Sequence, residues 1–366
     1  MRVKSFQALR FLMISSIFLA HISFIMTNER ATSFFYRYLN NGVFGVTFFF
    51  MLSGFCLNLG YHDRLANLDK DSYLGFVKRR IIKIYPIYII MQTLYLIMEI
   101  IKNPVIENVK QLLCKYFISI PLLQMVIPSE KLQISLNAVS WFLSILFLLY
   151  LIAPLVIMLA ASVRDSIRKN LIVLVVLILL YMTFILYSYG FLETDIGYFI
   201  TRSFIMNMLV FSIGVFLSNI RLGKMVKPDS IKGKIFFSFL EILILGMTVM
   251  FYCSGTVIFS SWKFYYFLKL LLFVFLIFIF SYDGGVCSGI FSLKLFDILG
   301  NASFEFYLMH YFIIRLMAAP MQKIFGTGNW DNLLITGILF VGTWLLAVLC
   351  NRIPIYLSGR KRHAEA

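Results

Sequence analysis

The chain has 366 residues, of which 61% are hydrophobic and only 14% charged, and apolar runs recur from one end to the other. This composition excludes a soluble globular protein and predicts a polytopic membrane protein. The net charge of +16 does not indicate a nucleic-acid partner, because the basic residues lie in short loops between apolar runs, where the positive-inside rule accounts for them. The five cysteines have neither metal-ligand nor disulfide spacing, so no metal site is expected.

Ten apolar runs are long enough for a helix to cross a bilayer. They cover residues 8–27, 42–60, 80–101, 138–161, 170–190, 199–219, 235–253, 263–282, 294–316 and 332–351. An eleventh apolar segment, Gln111 to Ile127, is short and contains Lys115 and Pro121, so we interpret it as re-entrant or interfacial. Ten spans place most basic loops, and both termini, on the cytoplasmic side. With no linker or repeat, the predicted fold class is an all-α transmembrane bundle forming one domain over residues 1–366.

The first apolar run carries Arg10 near its start and His21 eleven residues later. Eleven steps of about 100° return close to the starting direction, so a helix presents both side chains on one face. They lie roughly 16 Å apart along the helix axis, which places the histidine inside the hydrocarbon, where an ionisable residue is a functional candidate. The alternative is a histidine bonded to a neighbouring helix and an arginine that anchors the span at the interface.

Two further motifs lie in the second and third spans. The second span contains Ser53-Gly54, a pair that usually permits close helix packing. The third span opens with four cations, Lys78, Arg79, Arg80 and Lys83. Arg80 and Lys83 share a helix face. The four are either snorkelling anchors or a site for a polyphosphate group, because arginine forks match phosphate oxygens.

The run predicted as the ninth span contains a second membrane histidine, His310. Ser303 and Tyr307 precede it at spacings that place all three side chains along one stripe of a helix, whereas Glu305 lies off that stripe. By depth, His21 and His310 both belong to the outer half of the bilayer, although the sequence does not require them to meet.

Taken together, these motifs resemble the membrane-bound acyltransferase family 3, whose members include bacterial O-acetyltransferases of surface polysaccharides and peptidoglycan. The resemblance rests on five pieces in the family's order: Arg10 with ten residues and then His21; Phe-Phe-x-x-Ser53-Gly54-Phe55; Arg80-Ile-Ile-Lys83 before Tyr85-Pro86; Trp141-Phe-Leu-Ser144 with Pro154 downstream; and Leu299-Gly300-x-x-Ser303 to Tyr307-Leu-x-His310. The five pieces span nearly the whole chain.

The resemblance implies an enzyme that moves an acyl group, in the expected case acetyl, from cytoplasmic acyl-CoA to a hydroxyl of a carbohydrate or lipid-linked glycan. It implies that His21 is catalytic and that the basic pair of the third span helps to hold CoA. We expect acetyl-CoA as a donor substrate, no permanently bound cofactor, membrane lipids around the spans, and location in the inner (cytoplasmic) membrane of a bacterium.

The chemistry needs a base, donors for an oxyanion, and cations for the CoA phosphates. His21 is the expected general base in a direct transfer, and Ser53, Tyr307 or a backbone amide are the unranked oxyanion donors. The candidate catalytic residues are therefore Arg10, His21, Ser53, Glu305, Tyr307 and His310. The candidate CoA-binding residues are Arg10, Arg79, Arg80 and Lys83.

Two departures from the family's pattern are visible. Many relatives have a glutamate a few residues after the tryptophan, where this chain has Leu146, and Glu305 is a candidate substitute. Lys83 stands in place of a second arginine, which keeps the charge but loses the bidentate fork. The alternatives are a transporter or flippase for a polar or lipid-linked substrate, and an acyltransferase-like protein that has lost catalysis.

Overall fold

The computed structural model describes residues 2–22, 42–66, 69–127, 129–188, 202–223, 230–258 and 262–364. Within these ranges the chain forms fourteen α-helices and no strand. Their bounds are α1 Ser5–Ile22, α2 Gly42–Tyr61, α3 Lys70–Lys102, α4 Ile106–Ser119, α5 Glu130–Gln133, α6 Trp141–Ala161, α7 Ile167–Ser188, α8 Phe204–Gly223, α9 Ile231–Ile258, α10 Trp262–Phe280, α11 Val286–Phe291, α12 Lys294–Asn301, α13 Ser303–Phe325 and α14 Asn329–Ala364. Short 3₁₀ turns lie at Gln124–Val126 and Ala138–Ser140.

The predicted helical membrane bundle is confirmed. Among the described residues, eight helices are long and apolar enough to cross a bilayer: α1, α2, α3, α6, α7, α8, α9 and α14. A shorter apolar stretch in α10 covers Tyr265–Phe280. The ninth predicted span, 294–316, was wrong as a single helix, because α12 ends at Asn301 and α13 begins at Ser303. The intervening Ala302 donates its N–H to the carbonyls of Ile298 and Leu299, which tightens and ends α12.

The chain divides into two compact units. The large unit comprises residues 1–3 and 46–286, and the small unit comprises residues 4–45 and 287–366. The prediction of a single membrane domain over residues 1–366 stays a prediction. The Ser53-Gly54 motif lies in the large unit, whereas Arg10, His21 and His310 lie in the small unit.

In the large unit, α2 and α8 cross at a pair of glycines. A Cβ on Gly54 would collide with the main-chain carbonyl of Phe211, and a Cβ on Gly214 would collide with that of Met51. Each glycine therefore admits the backbone of the other helix, as the Ser-Gly pair predicted. One turn later, the buried Asn58 side chain donates to the Val215 carbonyl at 3.1 Å, which satisfies polar groups inside the same contact.

Polar contacts join three basic segments of the large unit. Arg164 and Asp63 form an ion pair at 3.1 Å, which joins the loop after α2 to the loop after α6. The Asn219 side chain, near the end of α8, donates to the Ala160 carbonyl and to Asn170. Segments that the charge pattern assigns to the cytoplasmic side are thus neighbours in the large unit.

The segment Gln111 to Ile127 does not cross the unit as one helix. α4 runs back along α3, and the Tyr88 hydroxyl donates to the Ser119 carbonyl at 2.6 Å. After α4, the Leu122 carbonyl accepts a bond from the Ser144 hydroxyl, and the Gln124 amide donates to Ser140. Leu122 and Gln124 are both buried, whereas Leu123, Val126 and Ile127 are exposed. Protein therefore covers only part of this irregular backbone, and the re-entrant or interfacial interpretation stays a prediction.

In the small unit, α1 packs against α12 and α13, and α13 packs against α14. The crossing of α1 and α12 lies at Gly300, where a Cβ would collide with the main chain of Gln7. An aromatic cluster of Phe11, Phe18, Phe306, Phe340 and Trp344 joins these helices. α1 is therefore held along its length against the helices that carry the second histidine motif.

Candidate functional site

The structure brings together the two histidines of the small unit. Nδ1 of His21, on α1, lies 3.2 Å from Nε2 of His310, on α13. His310 is fully buried, whereas the His21 ring is half-buried. The His310 ring therefore faces protein on all sides. Two residues separated by 289 positions in the chain form one hydrogen-bonded pair.

The His310 ring is held by its own helix and by aromatic neighbours. Its Nδ1 lies 2.6 Å from the Tyr307 carbonyl oxygen, one turn earlier. The ring stacks on Phe306 with an angle of 4° between the planes, and Phe18 contacts it from α1. These contacts leave the buried imidazole a single orientation, set by packing and by the carbonyl.

The structure confirms that the three residues of the predicted stripe, Ser303, Tyr307 and His310, lie on one helix, α13, and are buried. The Ser303 hydroxyl donates to the Gly300 carbonyl at 2.8 Å, which ties the first residue of α13 to the end of α12. Tyr307 contributes its backbone carbonyl to His310, and its role as an oxyanion donor stays a prediction.

Glu305 lies at the first turn of α13. Its Oε1 accepts a hydrogen bond from the Asn351 amide of α14 at 3.0 Å, and the same amide donates to the Asn301 carbonyl. In the part of the chain that the structure describes, the His21 ring has hydrogen-bond contacts with His310 and with the Ile17 carbonyl. The structure therefore shows Glu305 joining α13 to α14, and its role in orienting His21 stays a prediction.

Arg10 lies on α1, half-buried, on the same helix as His21. Three turns of helix separate the two, or about 16 Å along the axis. Ser53, by contrast, belongs to the large unit, on α2 beside the packing residue Gly54. The catalytic roles predicted for Arg10 and Ser53 stay predictions.

A cationic cavity of about 380 Å³ lies in the large unit, between the end of α2 and the first turns of α3. Its lining residues are Tyr61, Arg64, Leu65, Asp71, Ser72, Gly75 and Arg79. The Arg79 guanidinium lies over Gly75, 3.5 Å from where a Cβ would be, which is an ordinary van der Waals distance. Two arginines against one carboxylate make the cavity net positive, which suits an anionic ligand.

The other predicted CoA-binding residues lie outside the lining of this cationic cavity. The Arg80 guanidinium lies among the rings of Tyr61, Phe76 and Tyr150, at 5.2, 5.1 and 5.4 Å from their centroids. Such cation–π contacts join α2, α3 and α6 around a half-buried charge. Lys83, one turn further along α3, is exposed. Of the basic stretch, the structure places only Arg79 in the cavity, and the phosphate-binding roles of Arg80 and Lys83 stay predictions.

Sequence reasoning missed three contributors. Arg64, in the turn after α2, lines the cationic cavity. Phe306 stacks on His310, and the Tyr311 ring lies 5.2 Å from the His21 ring. Aromatic residues are common in this chain, so nothing in the local pattern distinguished these two from their neighbours.

Comparison with known proteins identifies the family of this chain. The model of a family described as an acyltransferase domain matches residues 3–352, which is nearly the whole chain. No curated protein and no solved structure matches.

Proposed function

The chain belongs to the acyltransferase domain family, and on that premise we propose that this membrane enzyme transfers an acetyl group from cytoplasmic acetyl-CoA to a hydroxyl of a carbohydrate or lipid-linked glycan. The observation that carries the proposal is the pairing of the half-buried His21 with the fully buried His310. An acyl transfer to a hydroxyl needs a positioned base, and the hydrogen bond between His21 and His310 supports His21 in that role. The family match also favours this function over a transporter or flippase.

The proposed reaction is a direct transfer. His21 takes the proton from the acceptor hydroxyl as its oxygen attacks the thioester carbonyl carbon. The tetrahedral intermediate then collapses, the bond between the carbonyl carbon and sulfur breaks, and the CoA thiolate receives the proton from His21. The products are an O-acetyl ester and free CoA, and no covalent acyl-enzyme is needed.

The cationic cavity supports acyl-CoA as the donor. Arg64 and Arg79 both line it, and guanidinium groups match phosphate oxygens with two parallel hydrogen bonds. The Tyr61 ring lines the same cavity and offers an aromatic surface beside these charges. We propose that the phosphate groups of CoA bind here, and that the protein lies in the cytoplasmic membrane of a bacterium with the basic loops inside.

A turnover assay tests the role of His21. Purified protein in nanodiscs is incubated with radiolabelled acetyl-CoA, with water as the hydroxyl acceptor, and the release of free CoA is followed over time in the wild type, in His21→Ala and in His62→Ala. His62 is a matched control because it lies in the turn after α2. We expect CoA release to be lost in His21→Ala and retained in His62→Ala. Full activity of a correctly inserted His21→Ala protein would refute the general-base role.

A second comparison tests the donor site. Arg79→Gln removes one positive charge from the cationic cavity, and Arg168→Gln removes one from an exposed position in the first turn of α7. Because a charge-assisted hydrogen bond contributes roughly 1.5–3 kcal/mol, we expect the KM for acetyl-CoA to rise by about tenfold or more in Arg79→Gln. Arg168→Gln should leave it unchanged. Equal KM values in the two variants would move the CoA site away from this cavity.

A further inference from the structure

The hydrogen bonds around His310 determine where the protons of the histidine pair lie. The Tyr307 carbonyl oxygen can only accept, so His310 carries a proton on Nδ1, which lies 2.6 Å from that oxygen. In a neutral imidazole the other nitrogen, Nε2, then has a lone pair. Nδ1 of His21, at 3.2 Å, must therefore be the donor to it. The unprotonated nitrogen of His21 is Nε2.

We infer that His310 is a positioning residue, which holds His21 in the tautomer and orientation that present Nε2 as the base. The inference rests on the proposed function, because it assigns a role within that acyl transfer. His310 suits the role, since it is fully buried and stacked on Phe306. A buried ring bonded to a main-chain carbonyl cannot turn to offer a different nitrogen without leaving polar groups unsatisfied.

The same contact stabilises the charge that forms during the reaction. When His21 Nε2 takes the proton from the acceptor hydroxyl, the ring becomes an imidazolium whose Nδ1–H still points at His310 Nε2. A hydrogen bond from a charged donor is stronger than one from a neutral donor, so His310 stabilises the protonated base more than the resting one. The proton returns from His21 Nε2 to the CoA sulfur, and His310 neither gains nor loses a proton overall.

The Ile17 carbonyl, one turn before His21 on α1, is a second acceptor for the His21 ring. Because a carbonyl oxygen only accepts, the His21 nitrogen bonded to Ile17 carries a proton. The Ile17 carbonyl also offers a competing explanation, in which the helix alone sets the tautomer and His310 only fills space. The two explanations differ in whether an acceptor at the position of His310 Nε2 is needed.

Two amide substitutions at one position separate them. The longer side chain introduced by His310→Gln would place its amide near the position of Nε2, whereas the shorter amide in His310→Asn reaches only the position of Nδ1 and the Tyr307 carbonyl. We expect kcat for acetyl-CoA turnover to fall by about 10- to 100-fold in His310→Asn, the size of loss found when a group that orients a metal-bound histidine is removed. The loss should be clearly smaller in His310→Gln. KM for acetyl-CoA should stay unchanged in both. Equal losses in the two variants, or full activity of His310→Asn, would overturn the role of the acceptor.

Nitrogen-15 NMR tests the inference on the unaltered protein. In nanodisc samples with ¹⁵N-labelled histidine, spectra of the wild type and of His21→Ala and His310→Ala identify the two rings. We expect the neutral His21 ring to show a protonated Nδ1 and an unprotonated Nε2, and His310 to show a protonated Nδ1. A proton on Nε2 of neutral His21 would overturn the inference. This measurement needs no acceptor and no turnover, so its failure is distinct from failure of the proposed acyl transfer.

Discussion

Replacing Gly300 by alanine tests whether the crossing of α1 and α12 sets the geometry of the histidine pair. A Cβ at this position would lie 2.5 Å from the Cα of Gln7, whereas ordinary contacts begin at 3.4 Å. The two helices must therefore separate by about 1 Å. Main-chain atoms cannot rotate away as a flexible side chain could, so α1, which carries His21, and α12 have to shift relative to each other.

A displacement of about 1 Å at a reacting group costs on the order of 10²-fold in rate. We expect Gly300→Ala to lower kcat for acetyl-CoA turnover by about that factor and to destabilise the protein by about 1–3 kcal/mol, the usual range for overpacking. Both quantities are measured in nanodiscs, by release of free CoA and by thermal unfolding.

Gly337→Ala is the matched control in the small unit, because a Cβ there would meet no atom within 4 Å. We expect it to keep wild-type turnover and stability. If Gly300→Ala also turned over acetyl-CoA at the wild-type rate, the geometry of the His21 and His310 pair would not depend on this crossing, and the reasoning would be refuted.

Three further predictions concern the large unit. Gly54→Ala should lower the free energy of unfolding by about 1–3 kcal/mol, since its Cβ would collide with a main-chain carbonyl. Gly246→Ala should leave it unchanged, because no atom lies within 4 Å of a Cβ there. Equal melting temperatures of the two variants would contradict this prediction. Asn58→Leu should destabilise by about 1–3 kcal/mol, measured by thermal unfolding, because it leaves the buried side-chain oxygen of Asn219 on α8 without its donor. An unchanged melting temperature would show that this bond adds nothing. The Ser72 N–H and hydroxyl donate to the Asp69 carboxylate and lower its pKa below the ordinary 3.8. This N-terminal cap therefore stabilises α3 at pH values above 3.8, and the stabilisation is lost as the pH falls through the lowered pKa of folded Asp69. As the pH falls below 3.8, hydrogen exchange at the Ser72 amide should accelerate more in the wild type than in Asp69→Asn, whose side chain does not titrate. The same pH dependence of exchange in the two proteins would refute the effect.

Much of the fold could be predicted from the sequence because the signals are local. A membrane helix needs a continuous apolar stretch, so composition and spacing alone located the spans that became α1, α2, α3, α6, α7, α8, α9 and α14. The polar residues of Gln111 to Ile127 indicated a segment that does not cross. The 294–316 run was harder, because its interruption at Ala302 depends on how α12 ends against α1, and apolar length does not report that.

The candidate site was predicted less completely. Arg79 was found as part of a basic stretch, but its neighbour Arg80 turns toward three aromatic rings and away from the cavity lining. Arg64 was missed as a lining residue, because its place beside Arg79 depends on the turn that joins α2 to α3. Charge patterns show which side of the membrane a cation occupies, but they do not show which cations share a cavity.

The sequence by itself determined that Arg10 and His21 share one face of a helix and that Ser303, Tyr307 and His310 form a stripe on another, because helical periodicity relates residues a few turns apart. Only the tertiary structure decided that His21 and His310 meet, across 289 positions of chain, at 3.2 Å. That contact depends on the glycine crossing at Gly300 and on aromatic packing between α1 and α13. Hydrophobic periodicity sets which face of a helix is buried, whereas the shapes of the packed side chains set which residues on two buried faces come into contact.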